Sequence, residues 1–443
     1  MFSLTRPRGR LVHRTFMLLA LTGAFVLSPR PATAAGLTLD EAMRAALVRN
    51  ADLKAARVQV DAARARLEQS GLWPNPRLEL SNVTDRYFGN EGEYTRSQGI
   101  TQNFPIAGRI GRAQEVARVD VARALAEVNE AERRLLGEVA ASFYNAGALD
   151  RQIALRDRLI GIDESLVTAS EQRRKAGEVS ELDVNTATLE LERLRQERTV
   201  LTGERAAALR VLAGLLGYPQ DSMLAVDTTL PITLPPPLPQ LTEQALNQRP
   251  DLRLLTLATD RAQAEQVLAK ASAWEDWSVS LGVQQSRSAI VGVPSQPADK
   301  AVMLSLSIPL PLFNRNQGAR AVAIADEQSA REQLAALRLR VENEVAGKHE
   351  QVTQLLVALT AYSEHTLPLS RRNAELARDA YRQGQVSIVE VVQAGRQEND
   401  LNASYANTLA QYLQALAQLN TATVAWAPLM THPVETPPPS GGH

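Results

Sequence analysis

The chain states one plan twice. Asn50–Leu53 (NADL) and Arg249–Leu252 (RPDL) align at an offset of 199, Pro105 then falls on Pro309, and Gly177 on Gly384 at an offset of 207. A repeat of about 200 residues is far longer than the 20 to 50 of solenoid modules, so the drift in offset reads as small loop insertions in a duplicated unit. Pro231–Pro239 (PITLPPPLP) cannot continue a helix and separates the copies. This sets the expected layout: a first repeat over 35–230, a linker over 231–240, a second repeat over 241–427 and a proline-rich, disordered tail over 428–443.

Each copy runs through the same events. A helical pattern over 38–72 opens with Thr38-x-x-Glu41, the form of a capping box, and its counterpart covers 241–273. Prolines or tryptophans then introduce alternation. Trp277, Val279, Leu281 and Val283 alternate with Ser278, Ser280, Gly282 and Gln284, and Val302, Leu304, Leu306 and Ile308 with small polar residues. These are strands with one apolar and one polar face, and the strand pairs are placed at 77–105 and 277–310. In the first copy Ile100 and Phe104 are the clearest outward residues. Such strands fit either the edge of a soluble sandwich or a membrane barrel, but the smallest barrels need about eight strands. If these four face lipid, several chains must pool them.

Beyond each strand pair lie long helical patterns, 107–176 and 317–383, interrupted only by Pro368. Either segment, if continuous, would extend on the order of 100 Å. A returning helix follows each tip glycine, from 178 to about 217 and from 385 to about 427. In the first, Ala187, Leu194, Leu201, Ala208 and Leu215 recur every seven residues, a seam for close helix packing. The fold class is therefore mainly α with four strands in two tandem repeats.

Composition narrows the function. The first 34 residues combine arginines at 6, 8, 10 and 14, a twelve-residue apolar run (Phe16–Leu27) and Ala32-Thr33-Ala34, which together read as an export signal. A membrane anchor is the alternative, although a spanning helix needs roughly 20 apolar residues. The formal charge of the chain is −1, and loss of the five arginines in 1–34 makes it −6, which excludes a nucleic-acid surface. Cysteine is absent, so disulfides, thiolate metal sites and a lipidated N-terminal cysteine are excluded. The histidines show no metal-ligand spacing, no phosphate loop or nucleophile elbow occurs, and the carboxylates lie mostly three or four residues from arginine. No catalytic residue, metal site or cofactor is expected.

The specific features are the two tips. Gly177 and Gly384 stand where helix C-caps require φ > 0, and Ser180 and Ser387 follow as N-caps with Asp183 and Glu390 at N3. Capping alone explains the repeated Gly-x-Val-Ser.

The ordered set LTLDEAMRAALVRNADLKAA (37–56), PIAGRIGRA (105–113), GEVSELDV (177–184), RPDLRLL (249–255), PLPLFNRNQGAR (309–320) and GQVSIVEV (384–391) resembles the TolC-like outer-membrane efflux proteins. The resemblance implies a homotrimer in which each chain gives four strands to one 12-stranded barrel in the outer-membrane lipid, above a helical periplasmic tunnel. It implies that Gly177, Val179, Ser180, Gly384, Val386 and Ser387 meet a periplasmic adaptor coupled to an inner-membrane RND-type pump. It further implies that Asp183 and Tyr381 bond to close the entrance, and that Glu390 gives the lumen a carboxylate ring; a surface ion pair is the other reading of Glu390. Gln393 stands where a second acidic ring would be. GLWPNPRLELSN (71–82) and QNFPIAGRIGRA (102–113) are most similar to outer-membrane components of cobalt-zinc-cadmium efflux systems. Drug efflux or type I secretion is the alternative cargo class, and a periplasmic coiled-coil adaptor or scaffold the alternative of another class.

Overall fold

The computed structural model describes residues 36–88, 92–219, 222, 224–227, 232–289, 292, 294 and 297–430. The expected export signal and the tail from 431 onward lie outside them. The elements are α1 (Leu39–Arg49), α2 (Ala51–Ser70), β1 (Arg77–Thr84), β2 (Tyr94–Phe104), α3 (Arg109–Lys175), α4 (Glu181–Leu215), α5 (Leu238–Gln248), α6 (Pro250–Ala271), β3 (Trp277–Arg287), β4 (Asp299–Ser307), α7 (Gln317–Ala361), α8 (Leu367–Arg382) and α9 (Ile388–Ala422). Among the described residues, no helix is long and apolar enough to cross a membrane.

α3 runs unbroken for 67 residues, about 100 Å. Its counterpart is divided. Pro368 has no N–H and would clash with the carbonyl four residues back, and a five-residue π turn at Tyr362–Thr366 absorbs the misfit between α7 and α8. The seven-residue seam of α4 packs on α3, with Ala187, Leu194 and Ala208 buried. On α7 the buried Val341, Val345, Val352 and Leu359 keep the same kind of stripe.

Three expectations are corrected. The opening helix of each copy is two helices, broken at Asn50 and at Arg249. At the first break, Asn50 accepts the Leu53 amide, starting α2, and its Nδ2 donates to the Leu215 carbonyl at the end of α4. At the second, Asp251 accepts the Leu252 amide while Arg249 donates to the Ala422 carbonyl at the end of α9. The aligned motifs thus tie two break points to the orphan carbonyls of the two returning helices. Second, the linker ends earlier than residue 240, because α5 begins at Leu238 with Pro239 in its first turn, where a missing N–H costs nothing. Third, residues 428–430 are no tail: a 3₁₀ turn at Ala427–Leu429 seats Met430 in the main core.

That core collects Met43, Leu136, Leu212, Leu216, Leu413 and Leu419 from both copies. Tyr412 is fully buried within it and its hydroxyl engages both the amide and the carbonyl of Thr233, pinning the linker. A second, separate core lies at the tips.

Candidate functional site

Both tips are built by the same backbone chemistry. Gly177 (φ +79°) and Gly384 (φ +74°) are left-handed. The Gly177 and Glu178 amides reach back to the Arg174 and Arg173 carbonyls, and the Gly384 and Gln385 amides to those of Tyr381 and Ala380. Each set is the 5→2 and 6→1 pair of a Schellman cap. Ser180 then forms a full capping box with Asp183, whose carboxylate accepts the Ser180 amide at 2.8 Å. Ser387 caps α9 by accepting the Glu390 amide at 3.4 Å, and Glu390 itself is exposed. Val386 packs on the tip core and Val179 is half-buried.

The structure does not bring Asp183 and Tyr381 together. Asp183 is engaged by its own helix start, whereas Tyr381 is buried against α3. The Tyr381 hydroxyl lies 3.2 Å from Ser170 Oγ, the Arg173 guanidinium sits 4.6 Å over its ring, and Arg173 Nη1 donates to the Tyr381 carbonyl at 2.7 Å. Arg173 therefore serves the last turn of α8 both as a cation on an aromatic face and as a cap for a C-terminal carbonyl. Around this joint Ala187 from α4, Tyr381 from α8 and Ile388, Val391 and Val392 from α9 close a core packed against Leu166 and Val167 of α3. The two tips of one chain are one packed unit.

A charged layer lies behind that unit. Glu190 of α4 is buried, accepts Arg193 at 2.5 Å and accepts Arg396 of α9 at 2.8 Å, bridging the two hairpins. Arg378 of α8 donates to the buried Glu398 of α9 at 3.0 Å. Burial alone would push the Glu190 carboxyl up, but the guanidiniums of Arg193 and Arg396 outweigh it and hold it below the usual carboxylate range. Asp163 of α3 goes the other way: burial, then repulsion from Glu190, pushes it up to about 6 against the attraction of Arg378 and Arg193. Ser170, Arg173 and this layer were missed in the sequence; their one signal was that Ser170 and Arg173 share a helix face just before the tip glycine. Among the described residues, no group of three or more His, Cys, Asp or Glu side chains is arranged to hold a metal ion.

At the opposite end the strands form one antiparallel sheet in the order β1-β2-β3-β4, leaving β1 and β4 as open edges. The paired rungs Leu78-Ile100-Leu281-Leu304 and Leu80-Gln98-Val283-Val302 share one face. Thr101, Ser280, Ser305, Asn103, Ser278 and Ser307 share the other. The apolar side chains of the first face are exposed, a hydrophobic surface that no other described residue covers. Trp73 and Phe104 stack edge to face at its helix-proximal margin.

Comparison with known proteins agrees with this geometry. The family model described as outer membrane efflux protein matches twice, over residues 42–218 and 241–424, once for each copy. The cobalt-zinc-cadmium resistance protein CzcC of Cupriavidus metallidurans is 24% identical over 402 residues, covering 90% of this chain and 93% of the relative. The crystal structure of CusC superposes with a TM-score of 0.70 at 21% identity, covering 88% of this chain and 92% of that one. The open-state outer membrane channel MtrE of Neisseria gonorrhoeae does so with 0.67 at 19%, covering 87% and 88%. With both copies matched across most of its length, the chain belongs to the outer membrane efflux protein family.

Proposed function

We propose that this outer-membrane channel is the trimeric exit duct of a tripartite efflux system, passing heavy-metal cations of the cobalt, zinc and cadmium kind from an adaptor and an inner-membrane RND-type pump to the exterior. The observation that carries the assembly is that the chain is unfinished along both sides at both levels. In the sheet, the outer edges of β1 and β4 have no partner strand among the described residues. In the helices, Leu182, Leu189, Val200 and Val211 of α4 are each more than half exposed, and their spacings of seven and eleven residues keep them on one face for about 44 Å. On the other side Leu339 and Val357 of α7, five turns apart, and Leu369 and Leu376 of α8, two turns apart, are as exposed. Unlike edges that complete each other make a heterologous, ring-closing contact. Two chains would supply eight strands, a barrel whose interior side chains fill it; three supply twelve and are the smallest number that leaves a lumen.

In this reading the tips around Gly177, Val179, Ser180, Gly384, Val386 and Ser387 form the entrance and meet the adaptor, with six hairpins around one mouth. The exposed Glu390 of each chain contributes to a ring of carboxylates there. The likeness to a cobalt-zinc-cadmium resistance protein over nine-tenths of both chains supports the cargo. Electrophoresis of detergent-extracted protein with and without heating tests the assembly: a band of three chains that collapses to one on heating is expected, and a monomer in both lanes refutes it. Deleting the gene tests the cargo: sensitivity to zinc, cobalt and cadmium should rise, and sensitivity to drugs alone refutes a metal duct.

A further inference from the structure

The outward face of the sheet changes character abruptly toward the strand ends remote from the helices. One two-residue step beyond the rung Leu80-Gln98-Val283-Val302, about 7 Å, the paired residues on the same face are Asn82, Arg96, Gln285 and Lys300. One step further they are Thr84, Tyr94 and Arg287. Three cations and no carboxylate thus follow directly on the apolar belt. Arg96 is held in place by its donation to Asn82 Oδ1 at 3.2 Å and by stacking over the Tyr94 ring at 5.0 Å. Arg96 and Lys300 are exposed, and among the described residues none of the three cations has an acidic partner within salt-bridge distance. The acids nearby are turned elsewhere: Asp299 pairs with Ser286 on the opposite face, and Glu93 accepts the Ala289 amide. The contrast with the helix-proximal end is direct, since Arg109 there is neutralised by Asp276 at 2.6 Å.

We propose that Arg96, Arg287 and Lys300 form a binding surface for the phosphate groups of phosphorylated lipid in the outer leaflet. The rungs stand just above the acyl-facing belt, at headgroup height, on the side of the membrane away from the periplasmic helices. An arginine without a carboxylate partner there, such as Arg96 with its Nε on Asn82, keeps its Nη donors for a phosphate, and a cation near an anionic membrane surface strengthens attachment about fivefold. A trimer would present nine such cations in one ring. The inference rests on the barrel reading above, not on the identity of the cargo.

The test uses the full chain in detergent, presented with vesicles containing bis-phosphorylated lipid A or the same lipid stripped of its phosphates, and counts lipid retained per chain. The wild type should prefer the phosphorylated lipid by on the order of a hundredfold at low salt. The preference should fall about fivefold with each of R96Q, R287Q and K300Q and vanish with all three. R44Q/R64Q/R382Q, which removes three exposed helical arginines, should keep it, as should the charge-preserving pair R96K/K300R. An unchanged preference in the R96Q/R287Q/K300Q protein, or none in the wild type, overturns the proposal. So does competition by inorganic phosphate at the lipid's own concentration, which would mark a free-anion site. Insertion into phosphate-free vesicles, read by protease protection of the strands, reports the barrel separately. Failure there with every lipid would sink the barrel reading instead.

Discussion

Asp163→Asn should tighten the joint between the two hairpins at neutral pH and abolish its pH dependence. Asp163 is pushed up to about 6 from an ordinary 3.8 because burial and the Glu190 carboxylate disfavour its charge, with Glu398 adding repulsion, while Arg193 and Arg378 only partly compensate. An acid whose folded value exceeds its unfolded value binds its proton more tightly in the folded state. Its full stabilising effect is therefore present below pH 3.8 and is lost as the pH rises through 6. The interval corresponds to about 3 kcal/mol, and solvent reaching the half-buried carboxyl reduces this to about 1–2 kcal/mol. Glu190, held low by Arg193 and Arg396, works in the opposite sense, and its contribution is lost only as the pH falls from the ordinary 4.5 toward its folded value, so between pH 5 and 7.5 the effect of Asp163 dominates.

Amide hydrogen exchange of the solubilised protein over 159–194 and 374–399, corrected for intrinsic rates, reads this directly. The wild type should open about tenfold less often at pH 5 than at pH 7.5, the equivalent of about 1.4 kcal/mol. Asp163→Asn should show the slow rate at both pH values. Equal wild-type protection at the two pH values, or weaker protection in Asp163→Asn at pH 7.5, would refute the argument that an unhappy carboxylate loosens this layer.

Five further substitutions test the geometry. Arg173→Ala removes the stack on Tyr381 and a carbonyl cap, so single-channel conductance in planar bilayers should rise; Asp183→Ala, costing about 1 kcal/mol of helix start, should leave conductance unchanged. Gly384→Ala forces a Cβ into a left-handed residue and should lower the stability of the tip by about 1 kcal/mol, measurable as faster exchange there. Arg249→Met leaves the half-buried Asp251 without its 2.7 Å partner and should cost about 2–3 kcal/mol, seen as a lower thermal midpoint. Leu304→Arg places a charge at mid-belt and should reduce urea resistance in vesicles by about 2–4 kcal/mol.

Much of the fold could be read from residue order because its signals are local and periodic. Trp277 to Val283 alternate with period two, and the Gly-x-Val-Ser tips carry their own turn chemistry. The break at Arg249 also had a local signal, since a residue before proline avoids helical geometry; the break at Asn50 hid inside a continuing helical pattern. The tip joint had no local signal at all. Tyr381 finds Ser170 and Arg173 more than two hundred residues away, and which of several polar neighbours takes its hydroxyl depends on how two hairpins are rotated against each other. The family resemblance pointed to Asp183, whose carboxylate is instead engaged by its own N-cap.

The two copies keep what the backbone demands and diverge where their neighbours differ. Gly217 ends α4 in a left-handed turn, and a side chain there would meet the Arg49 carbonyl at 2.8 Å. At the aligned position of the second copy Val424 takes the same left-handed turn at φ +55°, a conformation that disfavours β-branched residues, yet it is buried in the main core. Burial of the valine offsets a strain of about 1–3 kcal/mol. The same logic governs the tips. The shared glycines and serines satisfy orphan backbone groups in each copy separately, whereas Tyr381 and Arg173 have no counterpart in the other copy because they bind one hairpin to the other. The exposed stripe of α4 lies on a returning helix and that of α7 and α8 on an outgoing one, so the two sides of the chain are unlike whether or not the copies diverge.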